Sequence, residues 1–269
     1  TYTILCIFFV SNMQAQTGAN DAYTFLNLPA GARQTALGGY LPSVMDEDIT
    51  LGLNNPASLN DKMNNRISFS HNFHFADVQN GYVAYGRHLA KWDINAHFGI
   101  QYINYGDFKY SDILGNQDGN FSAKETAFVL GASKQVAERI SVGANIKGVF
   151  SNLEAYSSTG IVMDLGVNYF KDSSNFILSF VIKNFGTELT TYTGTRYGAP
   201  LDIQIGLSKR LKYLPFRISV LAHHLQKGNY RYDDPNTQQQ TDIFGDPIKE
   251  NKFANSIDNI FRHIIISGE

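Results

Sequence analysis

Apolar and polar residues alternate along much of the chain, beginning with RISFSHNFHF at residues 66–75. Ile67, Phe69 and Phe73 fall on one face, and most of the residues between them are polar. A period of two is typical of a β-strand with one apolar and one polar face. His71 falls on the apolar side, so we expect either a neutral ring near an interface or a β-bulge there. The pattern predicts a strand that faces either a protein core or lipid.

The same alternation recurs in nine further segments: 81–89, 94–102, 127–133, 140–150, 161–169, 176–183, 201–209, 216–224 and 262–268. These segments predict about ten strands of a length that spans a bilayer when tilted. Lys147, Asp164, Asp202 and Arg217 all fall opposite the aliphatic rows. Because Arg or Lys on a lipid-facing strand surface costs about 2–4 kcal/mol near the bilayer midplane, we expect the aliphatic rows to face lipid and the polar rows to line a lumen.

The connections between these segments alternate in length. Short ones at 89–93, 134–138, 171–175 and 210–214 alternate with longer ones at 105–122, 151–159, 184–200 and 226–261. Antiparallel transmembrane barrels have short turns at one end and longer loops at the other, whereas a Greek-key sandwich has no reason to alternate in this way. The expected fold is all-β, a transmembrane antiparallel β-barrel.

Two N-terminal segments that precede the first predicted strand lack this alternation. Residues 1–15 carry an apolar run followed by small and polar residues ending at Ala15, which predicts a partial signal peptide cleaved after Ala15. A short buried strand is the alternative. Cys6 is the only cysteine, so the mature chain would have no thiol chemistry and no disulfide. Residues 16–65 mix turn formers with short helical patches, and we expect them to fold into the barrel as a hatch, or plug.

The composition and the motifs of the chain argue against nucleic-acid binding and against catalysis. The net charge of −2 leaves no basic surface for nucleic acid. Ser158, His74 and Asp164 are available for catalysis, but no nucleophile motif surrounds any serine, so we expect neither enzymatic activity nor a cofactor. The charged fraction of 17% is low for a soluble domain and suits a protein that presents apolar surface.

Two histidine pairs fail as metal clamps on a regular strand. The members of the pairs His71/His74 and His223/His224 are an odd number of residues apart, which places them on opposite faces of a strand. We therefore expect no metal site from either pair.

Several stretches resemble one family. They are AYTFLNLPAGARQTALGG (22–39), DEDITLGLNNPASL (46–59), QYINYGDF (101–108), LEAYSSTGIVMD (153–164) and QIGLSKRLKYLPFRISVL (204–221). Together they resemble the PorQ group within the PorV/PorQ branch of FadL-like outer-membrane proteins. The motif Asn55-Pro56-Ala57 is shared more widely among FadL-like barrels, where it lies in the hatch.

The resemblance implies a barrel of 14 strands in the full protein and a hatch over residues 16–65. About ten of the strands are expected in residues 66–269, so that the barrel is truncated at its C-terminal end. It also implies a non-enzymatic component of the type IX secretion system in the outer membrane of Bacteroidetes. Such proteins anchor a PorZ-like surface protein in an attachment complex, together with a PorV-like barrel and a sortase-like protease. That complex joins secreted cargo to the cell surface.

Residues 226–261 are the candidate partner-binding loop. Its candidate contact residues are Tyr230, Tyr232, Asp233, Asp234 and Phe244, whose aromatic members suit an interface. A solvated loop without a partner is the alternative. A second possible function is a FadL-like channel for hydrophobic small molecules, since inward-facing Ile177, Val181 and Leu221 allow an apolar pocket.

Overall fold

The computed structural model describes residues 21–111, 116–171, 175–228 and 252–269 and is all-β with few helices. All ten segments predicted from the alternation form strands, each paired antiparallel with the next in one sheet. The strands are β1 (Ile67–Phe73), β2 (Gln79–Leu89), β3 (Ile94–Ser111), β4 (Gln117–Ala137), β5 (Ile140–Leu153), β6 (Tyr156–Lys171), β7 (Phe176–Thr190), β8 (Asp202–Arg210), β9 (Arg217–Ala222) and β10 (Ile264–Gly268). Over these residues the sheet is open, with β1 and β10 at its two edges.

Two of the predicted loops are wrong. Most of 105–122 is strand, because β3 runs to Ser111 and β4 begins at Gln117. Most of 151–159 is also strand, since β5 and β6 are separated only by residues 154–155. These extensions are rich in polar residues, so apolar and polar positions do not alternate clearly along them. Cross-strand aromatic contacts hold the first of them together, with the rings of Phe108 and Phe121 stacked at 5.1 Å.

The two faces of the sheet differ in exposure. On β6, Ile161, Met163, Leu165 and Val167 are exposed, whereas Val162, Asp164, Gly166 and Asn168 between them are buried. As predicted, Lys147, Asp164 and Asp202 lie on the face opposite the aliphatic rows, and all three are buried. The alternation therefore directs the polar rows inward, against the rest of the chain.

The segment 21–65 packs on this buried polar face. It contains 3-10 turns at Thr24–Asn27, Pro56–Ser58 and Asp61–Met63, and helices α1 (Ala32–Ala36) and α2 (Leu51–Asn54). Its apolar side chains form two clusters with inward residues of the sheet. This one segment therefore contacts strands from β2 to β9 through the same face of the sheet. The core lies between segment and sheet.

One further helix, α3 (Lys252–Arg262), precedes β10. No helix in the described part of the chain is both long and apolar enough to cross a membrane.

His71 lies on the exposed aromatic side of β1, as its position in the pattern predicts. Its ring lies beside those of Phe69 and Phe73, and its Nδ1 is 2.7 Å from the Tyr102 hydroxyl oxygen. The β1–β2 register is continuous from residue 67 to 73, so the alternative of a bulge is wrong. A hydrogen bond to Tyr102 is what makes a histidine tolerable in this apolar row.

Candidate functional site

The Asn55-Pro56-Ala57 motif attaches the N-terminal segment to the middle of the sheet. The fully buried Asn55 side chain accepts a hydrogen bond from the Ala57 amide (2.9 Å) and so caps the short turn that follows. Its Nδ2 donates to the Pro42 carbonyl (2.6 Å) and to Asn168 Oδ1 on β6 (2.7 Å). One side chain therefore fixes the turn and also ties it to the sheet.

Two glycines make this close approach possible. Gly143 on β5 and Gly166 on β6 are directly opposite each other in the register. A Cβ on Gly143 would overlap the Pro56 carbonyl carbon, and one on Gly166 would overlap Asn55 Oδ1. Any side chain at these positions would displace the motif, which explains glycine in the interior of two strands.

Hydroxyl groups on the sheet satisfy backbone carbonyls of the segment. Ser141 Oγ donates to the Ala57 carbonyl (2.9 Å), and Ser133 Oγ donates to the Leu59 carbonyl (2.7 Å). Buried carbonyls without a partner would be costly, and short turns leave several of them unpaired. The polar residues of the inward face thus bind the segment instead of facing open water.

A buried ion pair lies next to this contact. Lys147 Nζ on β5 is 2.8 Å from Asp164 Oδ2 on β6, and neither side chain is exposed to solvent. Asn145 Nδ2 donates to the same Asp164 oxygen (2.9 Å), while Oδ1 accepts from the Asn184 amide (2.9 Å). Such a pair is tolerated only because further hydrogen bonds satisfy its remaining groups.

A β-bulge on β7 completes this network. The register between β6 and β7 shifts at 163–165, and Asn184 adopts a left-handed conformation with φ of 56°. As a result, consecutive residues Lys183 and Asn184 are both buried. Asn184 Oδ1 accepts from Lys147 Nζ (2.8 Å), and its Nδ2 donates to Asn27 Oδ1 (2.9 Å). Strict alternation could not reveal this arrangement, because a bulge breaks the period of two.

A second ion cluster joins the N-terminal segment to the end of the sheet at β9 and β10. Arg33 is 2.8 Å from both Asp46 and Glu269, and Arg217 is 2.6 Å from Glu269. Burial alone would raise the pKa of Asp46, but hydrogen bonds from Arg33 and the Asp48 amide hold it below its ordinary value. The hydrogen bond from Arg33 likewise lowers the pKa of Glu269.

The residues considered for catalysis do not come together. Ser158 Oγ is 2.5 Å from the Tyr23 hydroxyl and donates to Glu188 Oε1 (3.1 Å). His74 Nε2 is 2.5 Å from Asn80 Oδ1, while Asp164 is held by Lys147. Ser158 and Asp164 are six residues apart on one strand, a separation of about 20 Å.

The prediction that His223 and His224 point to opposite faces is wrong. β9 ends at Ala222, and His224 has a left-handed φ of 54°. The alternation of faces along a regular strand therefore does not apply to the pair. The two Nδ1 atoms are within hydrogen-bonding distance of each other, and His224 Nδ1 lies 3.9 Å from Asp202 Oδ1. Burial lowers the pKa of both rings.

The described residues also form two concave surfaces. A groove of about 480 Å³ lies on the exposed aliphatic face, lined by residues that include Ala132, Ala144 and Leu165. A polar cavity of about 270 Å³ lies near the short turns. Neither is lined by Ile177, Val181 or Leu221, the residues that allowed an apolar pocket.

Several of the predicted residues lie outside the described part of the chain: the cleavage residue Ala15 and the loop residues Tyr230, Tyr232, Asp233, Asp234 and Phe244. The segment that contains these loop residues begins after β9 and ends before β10. Both of its ends therefore lie at the end of the sheet opposite the β8–β9 connection.

No protein-family model matches the chain, and no curated protein matches it.

Proposed function

We propose that the chain is a non-enzymatic outer-membrane β-barrel protein of the type IX secretion system that anchors a PorZ-like surface protein. The observation that carries the proposal is the reversed distribution of residues. Aliphatic side chains cover the exposed face of the sheet, while Lys147, Asp164 and other polar groups are buried beneath residues 21–65. The identification of the secretion system depends on the family resemblance.

The exposed aliphatic rows favour contact with lipid. Leu130 is 63% exposed, and comparable side chains cover the same face of β4 to β8, among them Ile146, Leu165, Phe180 and Ile205. In water, each large side chain left exposed forgoes about 1.5–3 kcal/mol of burial energy. Continuous apolar surfaces of this kind mark membrane or protein contacts, and strands that alternate apolar-out and polar-in are typical of outer-membrane barrels.

Residues 16–65 are proposed to be the hatch of this barrel. Support comes from the described part, residues 21–65, which packs on the inward face of the sheet through hydrogen bonds that involve Asn55, Ser141 and Asn184. Among the described residues β1 and β10 are not paired with each other, and the resemblance implies a barrel of 14 strands. A filled interior suits a scaffold better than an open conduit.

The partner is proposed to bind at the end of the barrel where residues 229–251 emerge. In barrels of this type the longer loops face the cell exterior, and this connection is the longest in the chain. Aromatic residues such as Tyr230 and Phe244 would supply interface anchors.

The test is purification of the tagged protein from its native outer membrane in mild detergent, followed by mass spectrometry of co-eluting proteins. We expect a large PorZ-like surface protein, a PorV-like barrel and a sortase-like protease. Replacing Tyr230, Tyr232 and Phe244 by serine should remove the surface protein. The matched control is Tyr213→Ser, which alters an exposed aromatic residue at the opposite end of the sheet. A barrel that elutes alone with bound lipid or fatty acid would contradict the proposal and favour a FadL-like channel.

A further inference from the structure

The cluster at Asp202, His223 and His224 has no role in the proposed function. It lies at the rim of the sheet, where β8 begins and β9 ends. Its three ligand atoms, one carboxylate oxygen and two imidazole nitrogens, all lie within 4.8 Å of one another. We propose that these three residues bind a divalent transition-metal ion, with zinc as the best fit.

The chemistry of the donor set supports this assignment. Two imidazoles and one carboxylate are a common set for an open zinc site, in which water takes the fourth position. Imidazole donors also select zinc, copper and nickel over magnesium and calcium, which prefer oxygen ligands. The cluster therefore suits a transition metal and not an alkaline-earth ion.

The geometry requires only a small adjustment. Tetrahedral bonds of about 2.0–2.1 Å place neighbouring ligand atoms about 3.3 Å apart. The separation of His224 Nδ1 from Asp202 Oδ1 is 3.9 Å, while the two Nδ1 atoms are closer together than the ideal. Small ring rotations would move these two separations toward the required value, and the third, between His223 and Asp202, is no more than 4.8 Å before any adjustment. The bound ion would replace the direct contact between the two Nδ1 atoms, with both rings carrying their proton on Nε2.

The surrounding contacts hold these ligands in place. Gln204 Nε2 donates to Asp202 Oδ2 (2.7 Å), which leaves the other oxygen directed toward His224. The backbone of His223 is paired with His263, and the Tyr40 ring stacks on the His223 ring at 5.1 Å. Partners that orient the ligand side chains in this way are typical of metal sites in proteins.

Two neighbouring lysines oppose a cation, Lys183 beside Asp202 and Lys227 near His224. Lys183 lies directly opposite Asp202 in the β7–β8 register and is buried. Its charge weakens the attraction between Asp202 and a metal ion. We therefore expect a lower affinity than that of a closed structural zinc site.

The test measures Zn²⁺ binding to the whole purified chain in detergent, after chelator treatment and removal of the chelator, by competition with a chromogenic indicator. Co²⁺ provides a second readout, because tetrahedral Co²⁺ with nitrogen ligands absorbs strongly in the visible region. We expect one ion per chain and a tetrahedral Co²⁺ spectrum. His224→Asn should weaken binding by at least about tenfold. Asparagine suits this position because it tolerates the left-handed backbone better than most residues do.

His74→Asn is the matched control, since it makes the same change at an exposed histidine that is not part of the cluster. It should bind Zn²⁺ like the unchanged protein. Circular dichroism of each variant confirms that it has folded, and Asp202→Asn provides a second ligand change if His224→Asn does not fold. Absence of 1:1 binding, or binding that both ligand changes leave intact, would overturn the proposal.

Discussion

Asp164→Asn tests whether the buried ion pair holds the inward face together. The carboxylate receives hydrogen bonds from Lys147 (2.8 Å), Asn145 (2.9 Å) and the Asn184 amide (2.9 Å). The new amide turns an NH₂ group toward donors and leaves the Lys147 charge buried without its counter-ion. Removing one partner of a buried pair costs about 3–5 kcal/mol. Lys147→Met should cost less, because Lys183 still attracts the remaining Asp164 charge.

The double variant Lys147→Met/Asp164→Asn should be more stable than Asp164→Asn alone, with a coupling energy of about 1–3 kcal/mol. The assay is urea unfolding in detergent, followed by circular dichroism and by heat-modifiable migration on gels. Glu47→Gln is the matched control, since Glu47 pairs with Arg66 at 2.7 Å but both side chains are more than half exposed. That change should cost less than about 1 kcal/mol. Equal losses for Asp164→Asn and Glu47→Gln would mean that the buried pair does not stabilise the inward face.

Three further predictions concern separate parts of the molecule. Gly143→Val should displace the turn at Pro56, and limited proteolysis should then cleave the N-terminal segment faster; unchanged cleavage would contradict the packing. The pKa values of Asp46 and Glu269 lie below their ordinary 3.8 and 4.5. Their stabilisation is therefore present above those ordinary values and lost as pH falls through the lowered ones. Arg33→Met should reduce the unfolding free energy by about 1 kcal/mol or less at pH 7, and this difference should vanish in acid. A difference that does not change with pH would contradict this prediction. Leu165→Arg should reduce stability in vesicles by about 2–4 kcal/mol, and no loss in vesicles would oppose a lipid-facing row.

The variants in these predictions need controls that separate packing from backbone effects. Gly194→Val is the control for Gly143→Val, because a Cβ added at Gly194 would have no atom within 4 Å. The backbone at Gly194 has a positive φ of 88°, so this variant also reports the effect of backbone strain. Strain there would leave the N-terminal segment undisturbed. Leu214→Arg is the control for Leu165→Arg, because Leu214 is 55% exposed in the β8–β9 connection, away from the strand interiors.

Much of the fold could be predicted from the alternation, because a residue's face follows directly from its position in a strand. The alternation predicts all ten strands and the inward position of Lys147 and Asp164. The alternation does not predict the polar extensions of β3 and β4, because a cross-strand pair such as Phe108 with Phe121 leaves little signal in either strand alone.

The candidate sites were harder to predict, because they depend on departures from regular strand geometry. The bulge at Asn184 brings two consecutive side chains inward, and the end of β9 lets neighbouring His223 and His224 face each other. A period of two assigns such neighbours to opposite faces. The contact of Gly143 with Pro56 joins residues far apart in sequence, and only the packed structure shows it.

The proposed function depends above all on contact between lipid and the exposed aliphatic face of the sheet. Nitroxide spin labels at 163, 165 and 167 on β6, in vesicles and with Cys6 replaced by serine, probe this contact through collisions with oxygen and with a water-soluble nickel complex. We expect high oxygen access and low nickel access at all three sites, and the reverse at Tyr213, which is 87% exposed in a turn. Nickel access at 163–167 equal to that at 213 would contradict a lipid-facing sheet.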